Sequence, residues 1–270
     1  MVQLIALDLD DTLLTTGLEI STRNQAALAQ ARRRGVHVVL ASGRAPGAMA
    51  RFAEVLHLFD GPGYLISDNG STILATHPQE VLISHRLDRD LFHELLTFFR
   101  EVGLPVQVYT STHILVTQEN AITGHDVGLS GFAGWRLVPN LGAELDFLPP
   151  KLVIPGEPDV LLATLPRLRD RFGDRINTFI SKPFFLEVLP PKADKGEALK
   201  WVCGALGIAA DAVLAFGDAA NDLGMLRWAG QSYAMANAIP AAKEAARFVT
   251  RFDHNADGVA DIIESVWKGV

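Results

Sequence analysis

The sequence predicts an α/β protein in two parts, a parallel-sheet core interrupted by an inserted α+β module. Three observations carry this reading. Strand-like apolar runs alternate with helix-like segments through the first ninety residues. The middle of the chain changes to alternating, half-exposed strands. The strand–helix alternation then resumes. The expected boundaries place 1–82 and 190–270 in the core and 83–189 in the insertion, with hinges near Thr76-His77-Pro78 and Pro190-Pro191.

Each element follows from local chemistry. Leu4–Leu7 is an apolar run short enough for a buried strand. Ser21 caps a helix through about Arg34, and Gly35 stops it. Val36–Leu40 is a second buried strand. Ala45–Leu58 reads as a helix with Pro46 in its first turn, and Tyr64–Ile66 as a third strand. This βαβαβ order implies parallel strands with helices on both faces. In the insertion, Leu91–Val102 and Val160–Phe172 read as amphipathic helices. Val106–Tyr109 and His113–Val116 flank Thr110-Ser111-Thr112 as a hairpin, and Phe184–Leu189 is a further strand. Beyond it, Asp194 caps a helix over Lys195–Leu206 that Gly207 ends. Val213–Phe216 is a strand, Asp222–Trp228 a helix and Tyr233–Met235 a short strand. Helical segments near Pro240–Ala246 and Val259–Trp267 follow.

Composition narrows the class. The 270 residues are 49% hydrophobic and 20% charged, which suits an ordinary globular protein. A net charge of −7 argues against a nucleic-acid surface. No apolar stretch of about eighteen residues is present, so no membrane span is expected. A single cysteine, Cys203, excludes an internal disulfide framework and fits a reducing cytoplasm; it reads as a small core residue. Asn69-Gly70-Ser71 matches the glycosylation pattern by chance, without a secretory signal. The eight histidines show no metal-ligand spacing, and Trp201, Trp228 and Trp267 read as helical core residues.

Four segments place chemistry at strand or helix ends, where open parallel sheets bind ligands. The first strand ends in Asp8, Asp10 and Asp11, three carboxylates within four residues. Crowded acids at a buried strand end repel one another and resist desolvation, and a hard cation relieves both costs. An oxygen-only donor set points to Mg²⁺ before Ca²⁺. The plain alternative is a turn of solvated acids. The second segment, Leu40-Ala41-Ser42-Gly43-Arg44, opens a buried strand onto a Ser-Gly turn that can cradle a phosphate, or simply cap a helix. The third is Lys195, a cation in the first turn of its helix. It opposes the macrodipole there unless it faces anions, or is compensated by Asp194 and Glu197. The fourth is Phe216-Gly217-Asp218 through Asn221-Asp222, a second buried strand ending in acids. Asp218 could complete a Mg²⁺ site with Asp8.

Taken in order, these segments resemble the haloacid dehalogenase-like hydrolase superfamily. The large module between the second and third resembles that of its Cof-type subfamily of sugar-phosphate phosphatases. The similarity extends to Ser181-Lys182-Pro183-Phe184-Phe185-Leu186-Glu187, Ala193-Asp194-Lys195-Gly196-Glu197-Ala198-Leu199 and Asp257-Gly258-Val259-Ala260. The resemblance implies a Rossmann-like core with the insertion as a cap that closes over the site. It implies Asp8 as nucleophile and Mg²⁺ ligand. Asp10 would be general acid/base and would bind Mg²⁺ through its main-chain carbonyl. Ser42 and Gly43 would hold the phosphoryl group, and Lys195 would bridge it to Asp8. Asp218 would ligate Mg²⁺, Asp222 would support the metal, and Asn221 would contact the phosphate. Three residues depart from the family pattern: Asp11 and Ala236 stand where Gly is usual, and Ser42 where Thr is.

The implied activity is Mg²⁺-dependent hydrolysis of small phosphate monoesters through an aspartyl-phosphate. The partner is a small phosphorylated metabolite, with no nucleic acid and no membrane. A phosphomutase or phosphotransferase, and a non-catalytic sugar-phosphate sensor, are the alternatives. Lys182 lies in a turn between two expected cap strands, where a cation would suit an anionic or hydroxyl-rich leaving group.

Overall fold

The computed structural model describes residues 1–110, 112–130 and 132–267, the side chains of Leu129 and Ser130 excepted. It divides into two units, 1–83 with 194–270 and 84–193.

The core unit opens with β1 (Leu4–Leu7), α1 (Thr22–Arg33), β2 (His37–Ala41), α2 (Pro46–Val55) and β3 (Tyr64–Ser67). The Ser21 hydroxyl accepts from Asn24 N and starts α1, and Gly35 leaves it at φ +82°. Two further strands follow, β4 (Thr72–Thr76) and β5 (Gln79–Ser84). They correct the hinge expected at Thr76-His77-Pro78, which is the tight turn joining β4 to β5 within the core sheet. Turn-forming residues mark a hairpin and a hinge equally well.

The second unit runs α3 (Arg89–Val102), β6 (Gln107–Tyr109), β7 (His113–Val116), α4 (His125–Ser130), β8 (Gly134–Leu137) and α5 (Leu141–Glu144). It ends with β9 (Leu152–Pro155), α6 (Pro158–Phe172), β10 (Asn177–Lys182) and β11 (Phe185–Leu189). Its six strands order as β10-β11-β9-β6-β7-β8, antiparallel except for the parallel β7–β8 edge. β6 and β7 form the expected antiparallel pair; Ser111 of their connection lies outside the described residues. Val106, Val108, Leu152, Ile154, Leu186 and Val188 make one sheet face apolar, and it packs against α3 and α6. β9, central to this sheet, and β8 have no counterpart in the sequence reading. The hinge expected at Pro190-Pro191 lies inside this unit, which extends to Ala193.

The chain then returns to the core with α7 (Lys195–Leu206), β12 (Val213–Gly217), α8 (Leu223–Trp228) and β13 (Gln231–Ala234). α9 (Pro240–Ala245), β14 (Phe248–Val249) and α10 (Gly258–Trp267) complete it. The core sheet orders as β14-β13-β12-β1-β2-β3-β4-β5, and β14 through β3 are parallel. Strand alternation builds its three layers. Ile5, Leu7, Leu40 and Phe216 face an apolar cluster with residues of α1, α2 and α10. Leu4, Ala6, Val39 and Ala215 face a second with residues of α7 and α8.

Strand order reverses beside β1: β2 and β3 are laid down to one side of it, β12 to β14 to the other, all pointing the same way. The carboxyl ends of β1 and β12 thus flank the switch point where such sheets bind ligands. Cys203 is buried in the second cluster, and burial pushes its thiol up to about 11. Trp201 corrects its expected core placement: it is 39% exposed, edge-on to Tyr64. Trp228 and Trp267 are only partly buried. Among the described residues, no helix is long and apolar enough to cross a membrane.

Candidate active site

The site begins where β1 stops. The Asp8 amide still donates to Phe216 O at 3.1 Å, so Asp8 continues the sheet for one residue. The chain then turns: Asp10 is extended at φ −68°, ψ 130°, and Asp11 is left-handed at φ 57°. Across the switch point, β12 ends in Gly217 and delivers Asp218. The turn after it brings Asp222 back beneath the strand end. Its Oδ2 accepts from Asp218 N at 2.9 Å and from Ala219 N at 3.0 Å. Gly217 is required for space, since a Cβ there would lie 2.6 Å from Asp222 Cβ.

Asp8, Asp218 and Asp222 are all buried, and one carboxylate oxygen from each lies within 4.8 Å of the others. Lys195 enters from the first turn of α7, whose start is fixed by the Asp194 side chain accepting from Gly196 N and Glu197 N. Its Nζ donates to Asp8 Oδ1 at 2.6 Å and to Asp222 Oδ1 at 2.7 Å, and the side chain is fully buried. The surface alternative for Lys195, compensation by Asp194 and Glu197, is not what the structure shows.

Three acids and one cation leave negative charge uncompensated. Burial pushes Asp8 up to about 7, with the Asp222 and Asp10 charges adding and Lys195 pulling the other way. Burial also pushes Asp218 up to about 9; Asp8 and Asp222 add to this, and the Thr12 hydroxyl, donating at 2.9 Å, opposes it. For Lys195, burial favours the neutral amine, but Asp222 and Asp8 outweigh it and hold the ammonium above its ordinary value. Hard oxygen donors whose charge the protein does not balance fit a divalent cation such as Mg²⁺.

A second group lines the loops after β2 and β3. Ser42 N donates to Ile66 O at 2.8 Å, Asn69 N to Ser42 O at 3.0 Å, and Asp68 N to Arg44 O at 3.0 Å. The Ser42 hydroxyl accepts from Arg44 N at 3.2 Å, which closes the Ser-Gly turn on itself. Ser42 is not a helix cap, because α2 starts only at Pro46 and is preceded by Ala45. A Cβ at Gly43 would lie 3.0 Å from the Asn69 amide, so this residue lets the two loops touch. Asn221 Nδ2 donates to Asn69 Oδ1 at 2.8 Å and ties in the loop after β12.

The Asp10 carboxylate is held by Arg44, whose Nε and Nη2 donate to its two oxygens at 2.9 and 2.6 Å. It is not among the three clustered carboxylates. Lys182 lies in the other unit, at the end of β10 opposite Phe185 and past a register irregularity.

Three residues of this constellation escaped sequence reasoning. Arg44 adjoins the Ser-Gly turn, and a buried cation beside a phosphate-type loop is itself a signal. Thr12 follows the acids directly. Asn69 matches a glycosylation pattern, yet it is 1% exposed and bonded to Asn221, so it is an interior residue.

The model of the haloacid dehalogenase-like hydrolase family matches residues 5–263. YxeH of Bacillus subtilis is 34% identical over 271 residues, covering 98% of each chain. A Serratia proteamaculans protein named HMP-PP phosphatase is 31% identical over 255 residues, 90% of this chain and 87% of that one. The crystal structure of a haloacid dehalogenase-like hydrolase from Bacteroides thetaiotaomicron is similar with a TM-score of 0.87 at 30% identity, covering 99% of this chain and 100% of that one.

Proposed function

The chain belongs to the haloacid dehalogenase-like hydrolases, in their Cof-type branch, and from that membership we propose that it is a Mg²⁺-dependent phosphatase of small phosphate monoesters, sugar phosphates or related metabolites. The carrying observation is the buried grouping of Asp8, Asp218 and Asp222 with Lys195 bonded to two of them. The name of the Serratia relative supports a phosphatase. The single, buried Cys203 supports a cytoplasmic setting.

In this reading Asp8 is the nucleophile. A carboxylate oxygen bonds to phosphorus as the ester oxygen departs with the bonding pair and takes a proton, leaving an aspartyl-phosphate. Water then attacks phosphorus, loses a proton and releases inorganic phosphate and free Asp8. Asp8 and Asp218 would hold Mg²⁺, with the Asp10 main-chain carbonyl as a further donor and Asp222 as support. When bound, the ion supplies positive charge for the phosphoryl oxygens. Lys195 places a fixed cation beside Asp8. Ser42, Gly43 and Asn221 would hold the phosphoryl group.

Asp10 would protonate the leaving oxygen and later take the proton from water. The Arg44 fork holds both oxygens of the Asp10 carboxyl group and so fixes where that proton transfer would take place.

The test is phosphate release from sugar phosphates, phosphorylated cofactors and para-nitrophenyl phosphate, with Mg²⁺ and with chelator. Turnover is expected only with Mg²⁺ and falls to background in Asp8→Asn, which keeps the shape but loses the nucleophilic charge. Turnover that survives in pure Asp8→Asn protein removes Asp8 as nucleophile. Sugar-phosphate interconversion with little free phosphate would instead mark a mutase.

A further inference from the structure

The turn that carries Asp10 is held by a part of the core unit that the phosphoryl chemistry does not otherwise use. Asp11, the next residue, is left-handed, with φ 57° and ψ 11°. Glycine enters that region without steric cost; an aspartate pays for it and stays there when its surroundings hold it. Peptide planes are rigid, so the two dihedrals of Asp11 alone relate the plane bearing the Asp10 carbonyl to the plane bearing the Asp11 carbonyl. Fixing the second plane and keeping Asp11 left-handed therefore fixes the first. On the far side of the second plane, the Thr12 hydroxyl is tied to Asp218.

Two loops from the C-terminal part of the chain reach this turn. The loop after β13 supplies Asn237, whose Nδ2 donates to Asp11 O at 2.8 Å. The loop before α10 supplies His254 and Asn255. His254 N donates to Asn237 Oδ1 at 3.2 Å, which turns the Asn237 amide with its nitrogen towards Asp11. His254 Nε2 lies 3.6 Å from Asp11 Oδ1 and 3.3 Å from Thr16 Oγ1. Asn255 engages Thr16 twice: its Oδ1 accepts from Thr16 N at 2.9 Å, and its Nδ2 donates to Thr16 Oγ1 at 3.0 Å. The Asp253 side chain shapes this second loop by accepting from the Asn255 and Ala256 amides. The segment after β1 is thus gripped at both ends, at Asp11 and at Thr16.

We propose that Asn237, locked from behind by the His254–Asn255 loop, is a positioning residue for the Asp10 turn. By holding the Asp11 carbonyl it keeps Asp11 left-handed, and with it the direction of the Asp10 carbonyl. Released, Asp11 would rotate towards negative φ and carry the Asp10 carbonyl away. The consequence for metal binding rests on the reading of that carbonyl as a Mg²⁺ donor; the bracing of the turn does not.

The test uses the full chain with Asn237→Ala, which removes both bonds, and Asn237→Asp, which keeps the acceptor for His254 N and removes the donor to Asp11. Asn237 is exposed, so both variants should fold. In chelator, amide hydrogen exchange across residues 9–16 is expected to quicken on the order of tenfold in both, while exchange across β2 and β3 stays as in wild type. With para-nitrophenyl phosphate, the Mg²⁺ concentration giving half-maximal rate is expected to rise on the order of tenfold, as for loss of a group that orients a metal ligand. Asp11→Gly in the Asn237→Ala protein should recover most of that loss, because glycine populates positive φ without a brace. Unchanged exchange overturns the brace. Faster exchange with an unchanged Mg²⁺ requirement confines Asn237 to structure and overturns the positioning role. A raised requirement that Asp11→Gly does not recover overturns the part given to left-handed Asp11. If wild type shows no Mg²⁺-dependent turnover, the phosphatase reading fails separately, and the exchange measurement still decides the brace.

Discussion

Asp8 and Asp10 are two residues apart, yet their surroundings give them different chemistry. Asp8 is buried against Lys195 and shares its space with Asp218 and Asp222, which suits a metal ligand and nucleophile. Asp10 is partly exposed and held by Arg44, which suits a group whose proton state is to be controlled. Asp10→Asn should lower kcat on the order of 10²–10⁴ while sparing phosphate-analogue binding, as expected for loss of a general acid/base; an unchanged kcat removes Asp10 from the mechanism. Arg44→Met should lower the unfolding free energy obtained from urea titration by roughly 1.5–3 kcal/mol, the range for hydrogen bonds to a charged group. A shift near zero would show that the fork contributes little. The acids and Lys195 were legible in the sequence because carboxylates ending an apolar run, and a cation opening a helix, each contradict local preference. The Arg44–Asp10 pair spans 34 positions, a separation that no local pattern reports.

Strand ends deliver Asp8 and Asp218, whereas Lys195 depends on the start of a helix, α7. Lys195 is its first residue, so the orientation of its side chain depends on where the helix begins. The Asp194 carboxylate sets that point by taking the Gly196 and Glu197 amides. Asp194→Ala should cost about 1 kcal/mol of stability as a lost cap. It should also lower kcat more than a surface cap would, because Lys195 then loses its fixed approach to Asp8. Melting and kinetics on the same protein check both, and a stability loss with unchanged kcat would confine Asp194 to a structural role. The core strands were readable because buried parallel strands are continuous apolar runs. β9 was not, since Leu152–Pro155 closely follows Pro149-Pro150 and itself ends in Pro155, residues that argue against a strand in a sequence. β4 and β5 were hidden for a different reason: turn-forming residues such as His77-Pro78 fit a hinge between units as well as a hairpin within one sheet.

At the scale of the whole molecule, the site couples charge to stability. Asp8 and Asp218 have native values near 7 and 9, against an ordinary 3.8 that the unfolded chain approaches. Between those limits the native state holds more protons than the unfolded state, so metal-free stability should fall as pH rises from about 4 towards 9. A cation that binds the ionised acids reverses the penalty and adds its own binding free energy. The Mg²⁺-induced rise in melting temperature over chelator should therefore be larger at pH 8 than at pH 5. A rise that is equal at both, or larger at pH 5, would contradict this electrostatic account. The division into a core and an insertion was readable from the change in strand character. The edges expected at 82/83 and 189/190 lie one and four residues before the unit boundaries at 83/84 and 193/194.

As nucleophile, Asp8 must form a covalent bond to phosphorus during turnover. Wild-type protein mixed with para-nitrophenyl phosphate and Mg²⁺, quenched in acid within a single turnover and digested, should yield one acyl-phosphate. It should map to the peptide containing Asp8 and disappear on treatment with hydroxylamine. No phosphorylated peptide during confirmed turnover, or a phosphoryl group mapped to another residue, would contradict the assignment.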